Sequence, residues 1–178
     1  MRQLFILRHA KPSWNDPRLE DIDRPLTEEG KQDSIALGQY MARENMIPDI
    51  ILCSSAVRAV QTLDGIIAGL DDRLLPDHEI ARDKGMYLTG AGSLYEKIKG
   101  VPERFDTILL IAHNPDVHNL AVNLIQDGPA DHIQKLHQGY PAGALCVLEC
   151  PCNRWGQLEL GKNRLEMFLS PRDLPETM

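Results

Sequence analysis

Three short apolar runs, Leu4-Phe5-Ile6-Leu7, Ile50-Ile51-Leu52-Cys53 and Thr107 to Ala112, restrict the possible folds of this chain more than any other feature. None shows the polar alternation of a half-solvated strand, so each is predicted to be a strand buried on both faces. Helical stretches lie between them. Thr27 can cap a helix with Glu28 and Glu29 in its first turn and Ile35, Leu37, Tyr40 and Met41 as its apolar positions, and Pro48 breaks the chain after it. Further helices are predicted from about Ala56 to Leu70, from Ser93 to Lys99 and from Pro115 to Ile125, the last with proline at its first turn. The segment from Asp71 to Gly92, holding Pro76, Gly85 and Gly90, reads as irregular. Beyond Gly128-Pro129 the pattern changes, and Ala144 to Glu149 and Arg164 to Leu169 are predicted as strands that close the sheet in antiparallel fashion. The order predicts an α/β protein: a three-layer α/β/α sandwich with a mostly parallel central sheet and an antiparallel edge from the C-terminal strands.

The 178 residues suit a single domain spanning 1–178, with 43% hydrophobic and 25% charged residues as in an ordinary globular protein. A net charge of -7 argues against an extended nucleic-acid or anionic-membrane surface, so any anion site must be local. The apolar stretch after Met1 is too short for a secretory leader, and no run approaches membrane-spanning length. The expectation is a cytoplasmic protein with no nucleic-acid or membrane partner. Cys146, Cys150 and Cys152 cluster as Cys-x3-Cys-x-Cys around Pro151, without the paired knuckles of a zinc site. They read as reduced thiols at a strand end, their role left open, and no metal or cofactor is expected.

The three strands end alike. They run into Leu7-Arg8-His9, Cys53-Ser54-Ser55 with Arg58 just beyond, and Ala112-His113-Asn114. In a parallel sheet the carboxyl ends of strands share one edge, where such folds place their ligand crevice. Two arginines and two histidines would converge there. Planar guanidinium groups suit a phosphoryl group, whose negative charge spreads over its equatorial oxygens. A histidine beside them is kept neutral, with a nitrogen lone pair free to attack phosphorus. The second histidine can donate to the phosphoryl oxygens, and the helix starts after Ser54-Ser55 and Asn114-Pro115 can add backbone N–H groups. Taken singly, each of these residues also fits a solvated turn, a surface charge or a hydrogen-bonded core histidine.

The stretches "LRHAKPSW", "DIDRPLTEEG", "PDIILCSSAVRAVQT" and "LLIAHNPDVHNLA", in this order, resemble the histidine phosphatase superfamily of phosphoglycerate mutase-like fold, and specifically its SixA-like phosphohistidine phosphatase branch. The resemblance covers most of residues 4 to 125. It implies a phosphohydrolase with His9 as the phosphorylated nucleophile and Arg8, Arg58 and His113 as its phosphate pocket, with Arg24 of "RPLT" nearby. Ala10 stands where the superfamily's commonest opening, Arg-His-Gly, has glycine, a replacement familiar in the SixA-like branch.

The acid for the leaving group is less sharply marked. By position before "RPL" the resemblance points to Asp21, with Asp23 as competitor; the mutase branch instead draws a glutamate from the region holding Glu79 and Glu96. Lys11 is a further cation near the pocket. The stretch between Arg58 and His113 is already needed for a helix, a loop, a helix and a strand, which leaves no room for a lid of the kind longer relatives carry. An open pocket suits phosphohistidine on a protein partner, such as a phosphotransfer domain. A small phosphate ester is the alternative substrate, and a weakly catalytic phosphate-binding module the alternative role.

Overall fold

In the computed structural model, which describes residues 1–73 and 79–176, β1 (Arg2–Arg8) shows how one strand builds two cores. Successive side chains point to opposite faces of a strand. Leu4 and Ile6 accordingly enter one apolar cluster, and Phe5 and Leu7 the other. The remaining elements follow as α1 (Glu28–Arg43), β2 (Ile50–Ser54), α2 (Val57–Leu70), β3 (Glu79–Asp83), α3 (Ala91–Lys99), β4 (Thr107–Ala112), α4 (Asp116–Leu124), β5 (Ile125–Asp127), α5 (Ala130–Gln138), β6 (Leu145–Cys150) and β7 (Asn163–Leu169). The α1 and α2 side chains complete the cluster around Phe5 and Leu7, while α3, α4 and α5 complete the one around Leu4 and Ile6. This is the expected three-layer sandwich.

The sheet order is β3-β2-β4-β1-β6-β7-β5. Strands β3, β2, β4 and β1 are parallel neighbours, β6 runs antiparallel to both β1 and β7, and the short β5 forms the outer edge beside β7. Asp49, just before β2, accepts the N–H groups of Asp106 and Thr107 at 2.8 and 2.9 Å, pinning the start of β4 against β2. From there the register is fixed: Cys53 lies level with Ile111, and Arg8 with Ala112.

Local chemistry explains most boundaries. Thr27 caps α1 by accepting the Gly30 N–H at 3.0 Å, and α1 ends well before Pro48. Helices α1 and α2 meet through glycines. A Cβ on Gly38 would strike the Ile66 carbonyl oxygen, and one on Gly69 the Ile35 carbonyl oxygen. Two elements correct the reading of residues 71–92 as irregular: β3 pairs in register with β2, and a 3-10 turn at Lys84–Met86 follows it. Pro76 of that segment lies outside the described residues. The strand β3 is almost wholly exposed, so it carries no apolar run to announce it. Helix α5 likewise went without a signal, because Leu136 is its one buried residue. No helix among the described residues is long and apolar enough to cross a membrane.

Candidate active site

The register delivers the site. One step beyond β1 the ladder continues, with the His9 N–H donating to the Ala112 carbonyl at 3.1 Å, so His9 and His113 follow paired residues side by side. Their ring centroids are 5.1 Å apart, and both residues are buried. On the adjacent strand Ser54, the last residue of β2, reaches His113 Nε2 with its hydroxyl at 2.8 Å. Arg58 then rises from the first turn of α2 and is also buried.

A second segment closes over this edge. After His9 the chain leaves the sheet and returns, held by a bridge between Pro12 and Leu26 and by the Ser13 N–H on the Pro25 carbonyl at 2.7 Å. The 3-10 turn Asp21–Asp23 within it sets Asp21 against Arg58, whose Nη1 donates to the Asp21 carbonyl at 2.6 Å and Nη2 to Oδ2 at 3.0 Å. Tyr87, after the turn that follows β3, donates its hydroxyl to the same Oδ2 and sets its ring edge-on to His113, centroids 5.2 Å apart. Arg24 lies 3.8 Å from Asp21 Oδ1 and stacks on the Trp14 indole, 4.3 Å from its centre.

The protonation of His9 follows from one bond. Its Nδ1 lies 2.7 Å from the Ala10 carbonyl, which can only accept, so Nδ1 carries the hydrogen and Nε2 of the neutral ring is a lone pair. Arg58 Nε donates to that lone pair at 3.3 Å. Burial, reinforced by the charges of Arg58 and Arg8 and opposed by the Ala10 carbonyl, lowers the His9 pKa to about 4. Burial, then His9 and Arg58, lowers that of His113 to about 3. Both rings are neutral at pH 7. The Asp21 carboxyl is shifted down, first by the Tyr87 hydroxyl and then by Arg58, against the opposing effect of burial.

Five buried side-chain polar atoms without a partner stand out among the described residues, and every one belongs to this edge of the sheet. They are Arg8 Nε, Arg24 Nε, Ser55 Oγ, His113 Nδ1 and Asn114 Oδ1. Buried polar groups are normally satisfied, and leaving one unmade costs roughly 1–3 kcal/mol. Three of the five are N–H donors or ring nitrogens on basic side chains, and a serine hydroxyl is the fourth potential donor. For these four the missing partner is an acceptor rich in oxygen, an anion, whereas Asn114 Oδ1 lacks a donor. Arg8 is aimed by its own Nη1, which donates to the Tyr140 carbonyl at 2.8 Å, and Asn114 Nδ2 shares that carbonyl at 3.2 Å.

The structure thus gathers Arg8, His9, Asp21, Arg24, Arg58 and His113 in one place. It leaves the other acid candidates outside. Asp23 is exposed, Glu96 is exposed on α3, and Glu79 opens β3 at the opposite end of the sheet, paired with Arg104. Lys11 turns to Glu29 at 2.8 Å and stays in solvent. Tyr87 and the Tyr140 carbonyl are additions that no sequence pattern marked, and Ser54, read only as part of a polar strand end, brings its hydroxyl to His113. Among the described residues no group of three or more His, Cys, Asp or Glu side chains is placed to hold a metal ion. Burial pushes the thiol of Cys53, at the end of β2, up to about 12 and those of Cys146 and Cys150 further, so these cysteines remain thiols.

Known proteins place this geometry in context. Residues 4–82 match the model of the histidine phosphatase superfamily (branch 1). An uncharacterised protein of Mycobacterium tuberculosis is 30% identical over 168 residues, covering 93% of this chain and 100% of its own length. Among solved structures, a protein from Agrobacterium tumefaciens assigned as phosphohistidine phosphatase SixA superposes with a TM-score of 0.75 at 26% identity, covering 96% of this chain and 98% of that one. Another so assigned, from Nakamurella multipartitia, gives a TM-score of 0.80 at 24% identity and covers 96% of both chains. The chain belongs to the histidine phosphatase superfamily, in its SixA-like branch.

Proposed function

We propose that residues 1–178 form one phosphatase domain that removes phosphate from phosphohistidine on a protein partner, through a phosphorylated His9. The observation that carries this is the tautomer of His9. With Nδ1–H committed to the Ala10 carbonyl, the lone pair on Nε2 is available among unpartnered donors suited to an oxyanion. In the first step Nε2 bonds to phosphorus as the bond from phosphorus to the leaving nitrogen breaks, and the leaving imidazole takes a proton from Asp21. Arg58 gives up its bond to Nε2 and joins Arg8, Arg24 and His113 Nδ1–H on the phosphoryl oxygens. The His113 tautomer fits this role, since Ser54 can donate to its Nε2. In the second step water attacks phosphorus, Asp21 takes its proton, and His9 departs with its lone pair restored. Three guanidinium groups supply the positive charge that a metal supplies in other phosphoryl-transfer sites, so the reaction is independent of added metal.

Phosphohistidine on a protein is favoured over a small ester by the surroundings of Asp21, where exposed apolar side chains border the site. The assignment of the Agrobacterium relative as a phosphohistidine phosphatase lends further support. The test is side-by-side dephosphorylation of a panel of phosphohistidine proteins and small phosphate esters, with quenched reactions examined for enzyme-bound label. Label that is acid-labile, alkali-stable and absent from His9→Ala is expected, with the highest kcat/KM on a phosphohistidine protein. Label on serine or cysteine sinks the mechanism. Exclusive turnover of small esters replaces the substrate class, and tight phosphate binding without turnover reduces the protein to a binding module.

A further inference from the structure

Two exposed apolar side chains stand beside the residues that hold the Asp21 carboxylate. Trp14, 64% exposed, stacks on Arg24, which faces Oδ1, and Leu88, 49% exposed, follows Tyr87, which bonds Oδ2. Neither is a loose surface residue. The Trp14 loop is tied by the Ser13 N–H to the Pro25 carbonyl and by the pairing of Pro12 with Leu26, while the guanidinium of Arg24 supports the ring. Leu88 sits in the left-handed region at φ 52°, which a branched side chain adopts only at a cost and which its half-exposed packing does not repay. Strain retained at a bulky, solvent-facing residue beside a reaction centre marks a side chain whose position is used.

We propose that Trp14 and Leu88 form a docking rim for the substrate protein, a folded phosphohistidine protein that surrounds its phosphorylated side chain with apolar residues. The inference rests on the phosphoprotein reading above and adds the surface that selects it. A phosphohistidine side chain is short, so bringing its phosphorus to His9 brings its own backbone and neighbours down onto the residues around Asp21. A small ester reaching the same arginines leaves the indole in water. Exposed tryptophan propped by a stacked arginine is of the residue type that dominates protein interfaces, because its large, stiff side chain is covered at little cost in side-chain freedom. The stacked Arg24 joins the two functions: one side of the contact is the rim, the other the pocket.

The experiment measures steady-state kinetics on a phosphotransfer domain phosphorylated with phosphoramidate and on nitrophenyl phosphate, with inorganic phosphate as competitive inhibitor. The enzymes are the wild type, Trp14→Ala, Trp14→Phe and Leu88→Gly. Trp14→Ala is expected to raise KM for the phosphoprotein at least tenfold with kcat retained, while nitrophenyl phosphate turnover and phosphate inhibition stay within twofold. Trp14→Phe, which keeps the stacked ring, restores most of the loss. Leu88→Gly, relieved of the left-handed strain, melts at higher temperature yet binds the phosphoprotein more weakly. Equal losses on both substrates, or a raised inhibition constant for phosphate, overturn the proposal by showing that Trp14 only props Arg24. An unchanged phosphoprotein KM in Trp14→Ala overturns it directly. A wild type that turns over the ester but no phosphohistidine protein in a panel refutes the parent reading, and the rim falls with it.

Discussion

Arg58 gives both terminal nitrogens to Asp21, Nη1 to the carbonyl at 2.6 Å and Nη2 to the carboxylate at 3.0 Å. An aspartate therefore occupies the guanidinium that the proposed phosphoryl substrate needs. A general acid works best with a pKa near the working pH, whereas Tyr87 and Arg58 hold this carboxyl below its ordinary range. In the proposed mechanism an arriving phosphoryl dianion opposes the Arg58 influence, while the Tyr87 hydroxyl stays on the carboxylate. The dianion draws Arg58 away and sets negative charge beside the carboxylate, and each change raises the Asp21 pKa. In the proposed mechanism substrate binding thereby helps to prepare its own acid.

Asp21→Asn tests that role through the leaving group. An alkoxide needs a proton to depart and a nitrophenolate hardly does, so the variant should lose on the order of 10²-fold or more on an alkyl phosphate. On nitrophenyl phosphate it should lose little. Phosphohistidine should fall between, with the loss growing as pH rises, because imidazole arrives partly protonated from solution. Asp23→Asn, exposed in the same turn, should match the wild type on every substrate.

Tyr87→Phe removes the hydroxyl that most strongly lowers the Asp21 pKa. A donor to a carboxylate stabilises its charged form, so its loss raises the pKa. The basic limb of the kcat profile on an alkyl phosphate should move to higher pH in Tyr87→Phe. An unmoved limb would assign Tyr87 to packing against His113 alone.

The buried strands were legible because Ile50 to Cys53 and Thr107 to Ala112 are unbroken apolar runs, and α1 because Thr27 and the two glutamates after it mark a start. The convergence of Arg8, His9, Arg58 and His113 followed from strand ends alone. Asp21 and Arg24 were reached only through resemblance, since an acidic turn followed by Arg-Pro looks like any surface loop. Tyr87 gave no signal. It lies where β3 is exposed on nearly every residue, so no periodicity locates it, and its contact with Asp21 depends on the sheet pairing of β3 with β2. The Tyr140 carbonyl that aims Arg8 is a backbone group and carries no side-chain signature at all.

Acid should weaken the fold before the carboxylates titrate. His9 and His113 have folded pKa values of about 4 and about 3, both depressed from the ordinary 6.5. Below about 6.5 the unfolded chain binds protons that the folded rings refuse, so their contribution is complete above that pH and drains away as pH falls toward 4 and then 3. The loss by about pH 4.5 is on the order of 2 kcal/mol per ring. Urea midpoints from pH 7.5 downward should show it, and a His9→Asn, His113→Asn double variant should have a flatter profile.

Gly38→Ala should cost about 1–3 kcal/mol, because the added methyl strikes the Ile66 carbonyl of α2 and the two helices must part. Thr27→Ala should cost about 1 kcal/mol through loss of the cap on α1. Thermal melts distinguish them. The first change moves helices that pack behind the site and should lower kcat as well; the second removes a hydroxyl that also reaches the Lys11 carbonyl at 3.3 Å and should lower kcat less.

The 5.1 Å between the His9 and His113 rings is close to the roughly 4.8 Å that separates neighbouring strands in any sheet. The gap between the proposed nucleophile and the proposed donor therefore follows the hydrogen-bond ladder of the two strands. It is a length written in backbone geometry, which drift in the surrounding sequence cannot stretch or shrink while β1 and β4 stay paired. A designer wishing to move this chemistry elsewhere needs no copied loop to obtain that dimension: two parallel strands ending level, each followed by a histidine, already contain it.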